Sequence, residues 1–542
     1  MENERIYKFM TPVDVWADFD PESEPLETER IRTQTIGDIT YESIYFTAKS
    51  IGEKKLRVYA KTARCAKARG AKPALLVATP CLGKELDLSQ FKRLMEEGYV
   101  LVTFDYEGKA QEKLRYTLYP EELSYCNKKD AGDHMYHAEP SAHETTWYNW
   151  VMIARRTISL LSELEYVDRE KVVMIGEGEG CPITWQTAAM DKRLKGACTV
   201  FGYDLKYLDG DPEERDCWLS GVDMRSYASY VNVPFLHIGV TNSTDNSFDS
   251  LLKIVENMKE KTELYTDFAF GYDYGLSERQ YKALTTFLDK VFEGENFATV
   301  PTLDVTANED GEFVAKVTCE GAKHAEVWYA YGSEPEKRVW KKQDCVKKNG
   351  VYTAKIDLSV SDDILRIFGR VSYGKYSVCS CSKVAVPTTI GVKCLERRRT
   401  KILFDSALDG SELLPVSKNH VLPENAVELR DGAVGLKGVT TELEGLAYLK
   451  DPEVVIDFKT AESLQFEFYG VEARTLTVKL YTVNKTYTTV KELAGADAWQ
   501  RVLLPTSVFK DEAFKKMLSW DGLWKIEIMG VNGALINKIL II

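Results

Sequence analysis

The sequence predicts an α/β domain built on a mostly parallel sheet, followed by two β-sandwich domains. Three observations lead there. Short apolar strands alternate with helical stretches up to about residue 295; helical periodicity then stops and short strands separated by turn residues take over. In the first part, a strand, a glycine-rich turn and a helix meet in "KVVMIGEGEGCPITWQTAAM", residues 171–190. At 542 residues the chain is too long for one core. The expected division is an α/β domain over 1–296, an immunoglobulin- or fibronectin-like sandwich over 297–394, and a jelly-roll sandwich over 395–542.

In chain order, the first domain offers strands at Leu56–Ala60, Ala74–Ala78, Val100–Phe104, Val172–Ile175, Ala197–Phe201, Phe235–Val240 and Tyr265–Phe270. They alternate little between apolar and polar residues, which suits strands covered on both faces. Trp147, Val151, Ala154, Ile158 and Leu161 recur at helical spacing, as do Leu251, Val255 and Met258. A further helix opens at Ser277, with Gln280 three residues on as a capping box and Tyr281, Leu284, Leu288 and Val291 on one face. The first sandwich rests on "FVAKVTC", "AEVWYAYG", "VYTAKIDL" and "IFGRVSYG", and the second on "SLQFEFYG", "TLTVKLYT", "WQRVLL", "LWKIEIMG" and "NKILII".

The net charge of −13 argues against nucleic acid or an anionic membrane as partner, since a phosphate surface attracts the opposite sign. No run of apolar residues is long enough to form a spanning helix, and the first residues do not form a basic-then-apolar leader. Eleven cysteines, odd in number and scattered, read as reduced thiols rather than a disulfide framework, so a cytoplasmic location is expected, with secretion as the alternative. Nothing in the sequence calls for a cofactor.

Strand, sharp turn and helix is the setting of the nucleophile elbow, G-x-S-x-G, and here the central residue is Gly178. Taken with "PALLVATP", "GYVLVTFDYEG", "TTWYNWVMIARRTISLL", "DKRLKGACTVFGYD", "VNVPFLHIGVTNSTDN" and "YGLSERQYKALTTFLDKVF", residues 40–295 resemble the α/β-hydrolase superfamily. The resemblance is to its acetyl xylan esterase and cephalosporin-C deacetylase-like branch. It implies an α/β-hydrolase fold with the nucleophile at Gly178, the acid at Asp245 or, less well placed, Asp249, and the base in "FGYDYGL", where Tyr274 stands. The chain has six histidines and none between 238 and 323, so an imidazole is missing from that stretch altogether. A glycine cannot form an acyl-enzyme, and a phenol with a pKa near ~10 is a poor base at neutral pH. The loop implied to carry the oxyanion hole reads Thr79-Pro80-Cys81-Leu82-Gly83. Thr79, Cys81, Glu177, Glu179 and Cys181 would then line a relic pocket.

Replacement chemistry has two candidate locations. Cys181 lies near a helix N-terminus, which favours a thiolate, but Glu177 and Glu179 oppose it; a small buried residue is the plainer reading. His134, His137 and His143, interleaved with acidic residues in "DAGDHMYHAEPSAHE", offer metal-type ligands on what reads as a solvated loop. Glu177 and Glu179 are too close on a tight turn to face one another as a glycosidase pair. Tyr448, Phe466, Phe468, Tyr469, Tyr481, Tyr487, Trp499, Trp520 and Trp524 fill the C-terminal region, which weakly resembles carbohydrate-binding modules; exposed members could stack on sugar rings. Three functions follow: a catalytically degenerate carbohydrate-esterase relative that binds or scaffolds, with a carbohydrate or acetylated glycan as ligand; a hydrolase with a rebuilt site; and an assembly module without a small-molecule ligand. Oligomeric state is open.

Overall fold

The computed structural model describes residues 7–80, 82–202, 205, 207, 211–243, 248–259, 262–271, 275–407, 413–416 and 426–542. Two compact units are present: residues 1–239, 245–268 and 283–300 make the first, and residues 240–244, 269–282 and 301–542 the second.

The strands of the first unit are β1 (Glu29–Ile36), β2 (Ile39–Ile51), β3 (Lys54–Cys65), β4 (Lys72–Ala78), β5 (Val100–Phe104), β6 (Val167–Gly178), β7 (Gly196–Gly202), β8 (Phe235–Val240) and β9 (Leu264–Ala269). In space they run β1-β2-β3-β5-β4-β6-β7-β8-β9. The β1-β2-β3-β5 edge is antiparallel, and from β5 through β4, β6, β7 and β8 the pairing is parallel. Helices α1 (Pro12–Trp16), α2 (Lys92–Glu96), α3 (Thr146–Glu163), α4 (Gly180–Met190), α5 (Pro212–Gly221), α6 (Met224–Ala228), α7 (Phe248–Val255) and α8 (Glu278–Glu293) fill the connections.

Central strands are buried along their whole length: every residue of β5 and β8 is inside, and Ala74 to Ala78 of β4 are fully covered. That explains why their sequences do not alternate. β1 and β2 were not anticipated; β1 is exposed almost throughout and mixes charged with apolar residues, so it carries little hydrophobic period to read. The capping box of α8 is present, with Ser277 N–H donating to Gln280 Oε1 at 3.2 Å and Gln280 N–H to Ser277 Oγ at 3.2 Å. α3 is capped by Thr145, whose hydroxyl accepts from Tyr148 N–H, and is buried over most of its surface. Among the described residues no helix is long and apolar enough to cross a membrane.

The second unit holds two hydrophobic cores. The first lies between a sheet ordered Thr302–Ala307, Phe313–Thr318, Val351–Ile356, Val346–Lys348 and one ordered Ser377–Cys379, Leu365–Ser372, His324–Tyr331, Lys341–Asp344; it is filled by Phe313, Val317, Val327, Ile367 and neighbours. The second lies between sheets that centre on Leu535–Ile541 and Leu523–Met529, and gathers Phe466, Phe468, Val478, Trp520 and Ile539. Strands that alternate inward apolar with outward polar residues, such as Ser463–Gly470, are what two-layer packing requires.

Candidate functional site

The turn between β6 and α4 has the backbone of an elbow. Gly178 ends β6 at φ +51°, a left-handed value that side-chain-bearing residues adopt at a cost, and Glu179 precedes α4 without capping it through its side chain. The flanking glycines are there for space. A Cβ at Gly176 would overlap the Gly180 carbonyl and Thr184 Oγ1, and one at Gly180 would overlap the Ala78 carbonyl of β4. Gly178 differs from both: a Cβ there would lie 3.6 Å from Pro80 Cγ, an ordinary contact. Strand and helix can approach closely only with hydrogen at positions 176 and 180, whereas position 178 has room for a side chain and lacks one.

The two glutamates of the turn point to separate partners. Glu177 Oε2 accepts the Thr79 hydroxyl at 2.8 Å, and Glu179 Oε2 pairs with Lys128 Nζ at 2.5 Å. Lys128 also reaches Glu107 Oε1 at 3.4 Å, and Lys113, itself buried, bridges Glu107 Oε2 at 3.1 Å and Asp105 Oδ1 at 2.8 Å. Three carboxylates and two ammonium groups thus form a chain beside the elbow. Burial pushes the Asp105 carboxyl up, with the Lys113 charge working against it. Burial works to raise Glu107 as well, but Lys113, Lys128 and the Gly83 amide outweigh it and hold this carboxyl below its usual value. Burial disfavours the Lys128 ammonium, yet Glu179 and Glu107 keep its pKa above the ordinary lysine value.

Glu107 does more than neutralise lysines. Its Oε1 accepts Leu82 N–H at 3.0 Å and its Oε2 accepts Gly83 N–H at 3.1 Å. Leu82 stands at φ +49° and Gly83 at φ +79°, so two successive amides are turned toward one carboxylate. These are the amides of the loop that the resemblance implies should bind an oxyanion, and both are engaged with an internal anion. Nothing in the sequence marks Glu107, Lys113 or Lys128 as a set, because they are scattered over the loops and short turns between β5 and α3.

Cys181 is 1% exposed in the first turn of α4, and its thiol contacts the Gly176 carbonyl at 3.3 Å and the Val200 carbonyl at 3.5 Å. The three histidines of the 134–143 loop are held apart. His134 Nδ1 lies 2.8 Å from the Glu144 carbonyl with its ring on Tyr125; His137 Nδ1 lies 2.6 Å from Glu214 Oε1; His143 Nε2 lies 2.7 Å from the Val15 carbonyl. They do not converge on a common point, because each ring is held by a different neighbour. Asp245, Tyr274 and Cys81 lie outside the described residues; Asp249 falls in the first turn of α7.

In the second unit, Asn242, which follows β8, donates to the Arg338 carbonyl at 2.8 Å and the Pro335 carbonyl at 3.1 Å. Phe270, which follows β9, packs on Trp328 with ring centroids 3.8 Å apart and planes tilted by 32°. Of the C-terminal aromatics, Tyr448, Phe466, Phe468 and Trp520 are core, while Tyr469, Tyr481, Tyr487, Trp499 and Trp524 are half-buried. Tyr481 and Trp524 form a pair with centroids 5.9 Å apart; Tyr481 Oη donates to Glu527 Oε2 at 2.6 Å, and Lys525 Nζ lies 4.9 Å from the Tyr481 ring centre.

Residues 22–208 match the acetyl xylan esterase (AXE1) family model. Among solved structures, an acetyl xylan esterase from Paenibacillus sp. R4 aligns at 12% identity and TM-score 0.38, over 53% of this chain and 96% of that one. Acetyl xylan esterase 1 from Thermoanaerobacterium sp. JW/SL YS485 aligns at 15% identity and TM-score 0.38, over 53% and 97%. A glucuronoyl esterase from Solibacter usitatus aligns at 11% identity and TM-score 0.36, over 51% and 88%. No curated protein matches the chain.

Proposed function

We propose that this chain, an acetyl xylan esterase-type α/β-hydrolase over its N-terminal half, is catalytically degenerate and acts by binding, with a carbohydrate as the ligand. The observation that carries this reading is the elbow itself: it is formed, has room at its apex, and places Gly178 there. Acyl transfer needs an atom that attacks and a group that takes its proton. The first has no candidate at 178, and Tyr274 stands where the resemblance puts the second.

The state of the neighbouring loop adds support. An oxyanion site works because its donors wait unpaired for developing charge. Here the Leu82 and Gly83 amides already hold Glu107, and a substrate oxygen would have to displace a buried, lysine-paired carboxylate to reach them. Cys181 makes a poor substitute nucleophile, since it is enclosed within α4 and the strands beneath it.

A ligand role for the C-terminal half rests on the half-buried Tyr481–Trp524 pair, aromatic surface flanked by the Lys525–Glu527 ion pair. The test has two arms. Purified protein should leave p-nitrophenyl acetate and acetylated xylan at the no-enzyme rate, and should bind acetylated or plain xylo-oligosaccharides in titration calorimetry. Hydrolysis well above background would overturn the degenerate reading; absence of binding across a glycan array would overturn the ligand.

A further inference from the structure

Outside the hydrolase-like unit, one group of side chains is arranged as metal ligands are. His324 and Glu326 are two residues apart on the strand His324–Tyr331 and so share a face. Asp344, on the adjoining edge strand Lys341–Asp344, stands directly opposite Glu326 in the antiparallel register. One ligand atom from each residue lies within 4.8 Å of the others, and among the described residues no other histidine, cysteine or carboxylate group is gathered in this way.

We propose that His324 Nε2, Glu326 Oε2 and Asp344 Oδ1 bind a divalent transition-metal ion of the Zn2+ type, leaving a fourth position to water. Three observations carry the inference. Ligand atoms about 2.0–2.1 Å from a tetrahedral zinc are about 3.4 Å apart, and His324 Nε2 lies 3.4 Å from Asp344 Oδ1 and 4.0 Å from Glu326 Oε2. Two carboxylates face each other across the antiparallel pair, with Arg370 paired to one of them, and a shared cation would attract both.

Finally, Glu326 is oriented as ligating carboxylates usually are, by hydrogen bonds to the oxygen that does not face the ion. Its Oε1 accepts Trp328 Nε1–H at 2.6 Å and lies 3.4 Å from Arg370 Nη1, which leaves Oε2 turned toward His324. The Arg370 guanidinium also sits over the Phe270 and Trp328 rings, at 4.6 and 5.4 Å from their centres. It therefore holds the Oε1 side of Glu326. An ion here would tie the edge strand Lys341–Asp344 to its neighbour at the strand's end.

The experiment is calorimetric titration of the full-length chain, freed of metal by chelation, with Zn2+ at pH 7.5, using wild type, His324→Asn, Asp344→Asn and a His134→Asn/His137→Asn control. The expected result is one equivalent bound by wild type and by the control, at least ~10-fold weaker binding in each of the first two variants, and a zinc-dependent rise in the unfolding temperature that those variants lose. No saturable binding, binding that survives both substitutions within that factor, or binding lost only in the control would each overturn the assignment. Circular dichroism of the variants checks folding; His324 and Asp344 are half or more exposed, so their replacement leaves the core untouched.

Discussion

The Glu107 carboxylate accepts the backbone N–H of Leu82 at 3.0 Å and at the same time balances two lysines. Removing its charge takes one of two carboxylates from the buried Lys113 ammonium, which keeps Asp105 at 2.8 Å. Glu107→Gln is therefore expected to destabilise the first unit by about 3 kcal/mol, the usual cost of breaking a buried pair, and to increase protease access to the loop at 79–83. A change under about 1 kcal/mol in chemical unfolding, the size of an exposed pair, would show the network to be dispensable.

The glycines of the elbow should respond unequally. Gly178→Ser has room for its Cβ and should cost only about 1 kcal/mol for the left-handed backbone. Gly180→Ala collides with the Ala78 carbonyl and should abolish soluble expression or cost more than about 3 kcal/mol. Esterase assays on Gly178→Ser should stay at background if, as proposed, Tyr274 stands where the base would be; turnover restored by this single change would mean that a proton acceptor other than a histidine at 274 is in place.

Cys181 and Cys198 should both escape alkylation in the native protein. Each is buried, and burial together with the nearby Cys181 pushes the Cys198 thiol well above its usual pKa. Mass spectrometry after iodoacetamide treatment should find them unmodified until denaturant is added. Rapid native labelling of Cys181 would reopen the case for a thiol site.

His237 on β8 supplies a pH dependence. Burial pushes its imidazole down to about 4 from an ordinary 6.5, and the ring pairs with the Thr199 hydroxyl at 2.9 Å. The folded state resists a proton that the unfolded chain takes up below pH 6.5, so the contribution is complete above 6.5 and is lost as pH falls toward 4. That loss amounts to about 3 kcal/mol. His237→Gln should flatten the unfolding midpoint of the first unit between pH 6.5 and 4; an unchanged acid limb would assign it to other groups.

The Tyr481–Trp524 pair should contribute to any glycan binding. Tyr481→Ala is expected to weaken xylo-oligosaccharide affinity roughly tenfold, in line with aromatic contacts of about 1 kcal/mol or more, and to leave the core intact because the ring is only half-buried. Equal affinities for wild type and variant would move the ligand elsewhere.

The parts of this molecule that were legible in its sequence are those written in local chemistry. The elbow shows itself through three glycines at alternate positions, and α8 through Ser277 and Gln280, because in each case neighbouring residues fix the backbone. The central strands were readable from their unbroken apolar runs, although β6 extends from Val167 to Gly178, well beyond the apolar Val172–Ile175. β1 left no such trace, since an exposed edge strand has no buried face to impose a pattern. The charge chain around Glu107 was invisible for a different reason: its members come from positions 105, 107, 113, 128 and 179, and only the fold makes them neighbours. The histidine loop misled because composition brings His134, His137 and His143 together while the backbone gives each its own partner.

The steric demands at positions 176 and 180 separate the shape of the elbow from its chemistry. Strand and helix need those two glycines in order to touch, whether or not anything reactive stands between them. A chain can thus lose the reactive residue and keep the turn intact for architectural reasons. The same holds in reverse: the well-formed turn here reports how strand and helix are joined, and the reaction has to be argued from position 178, the glycine of the three that packing does not require.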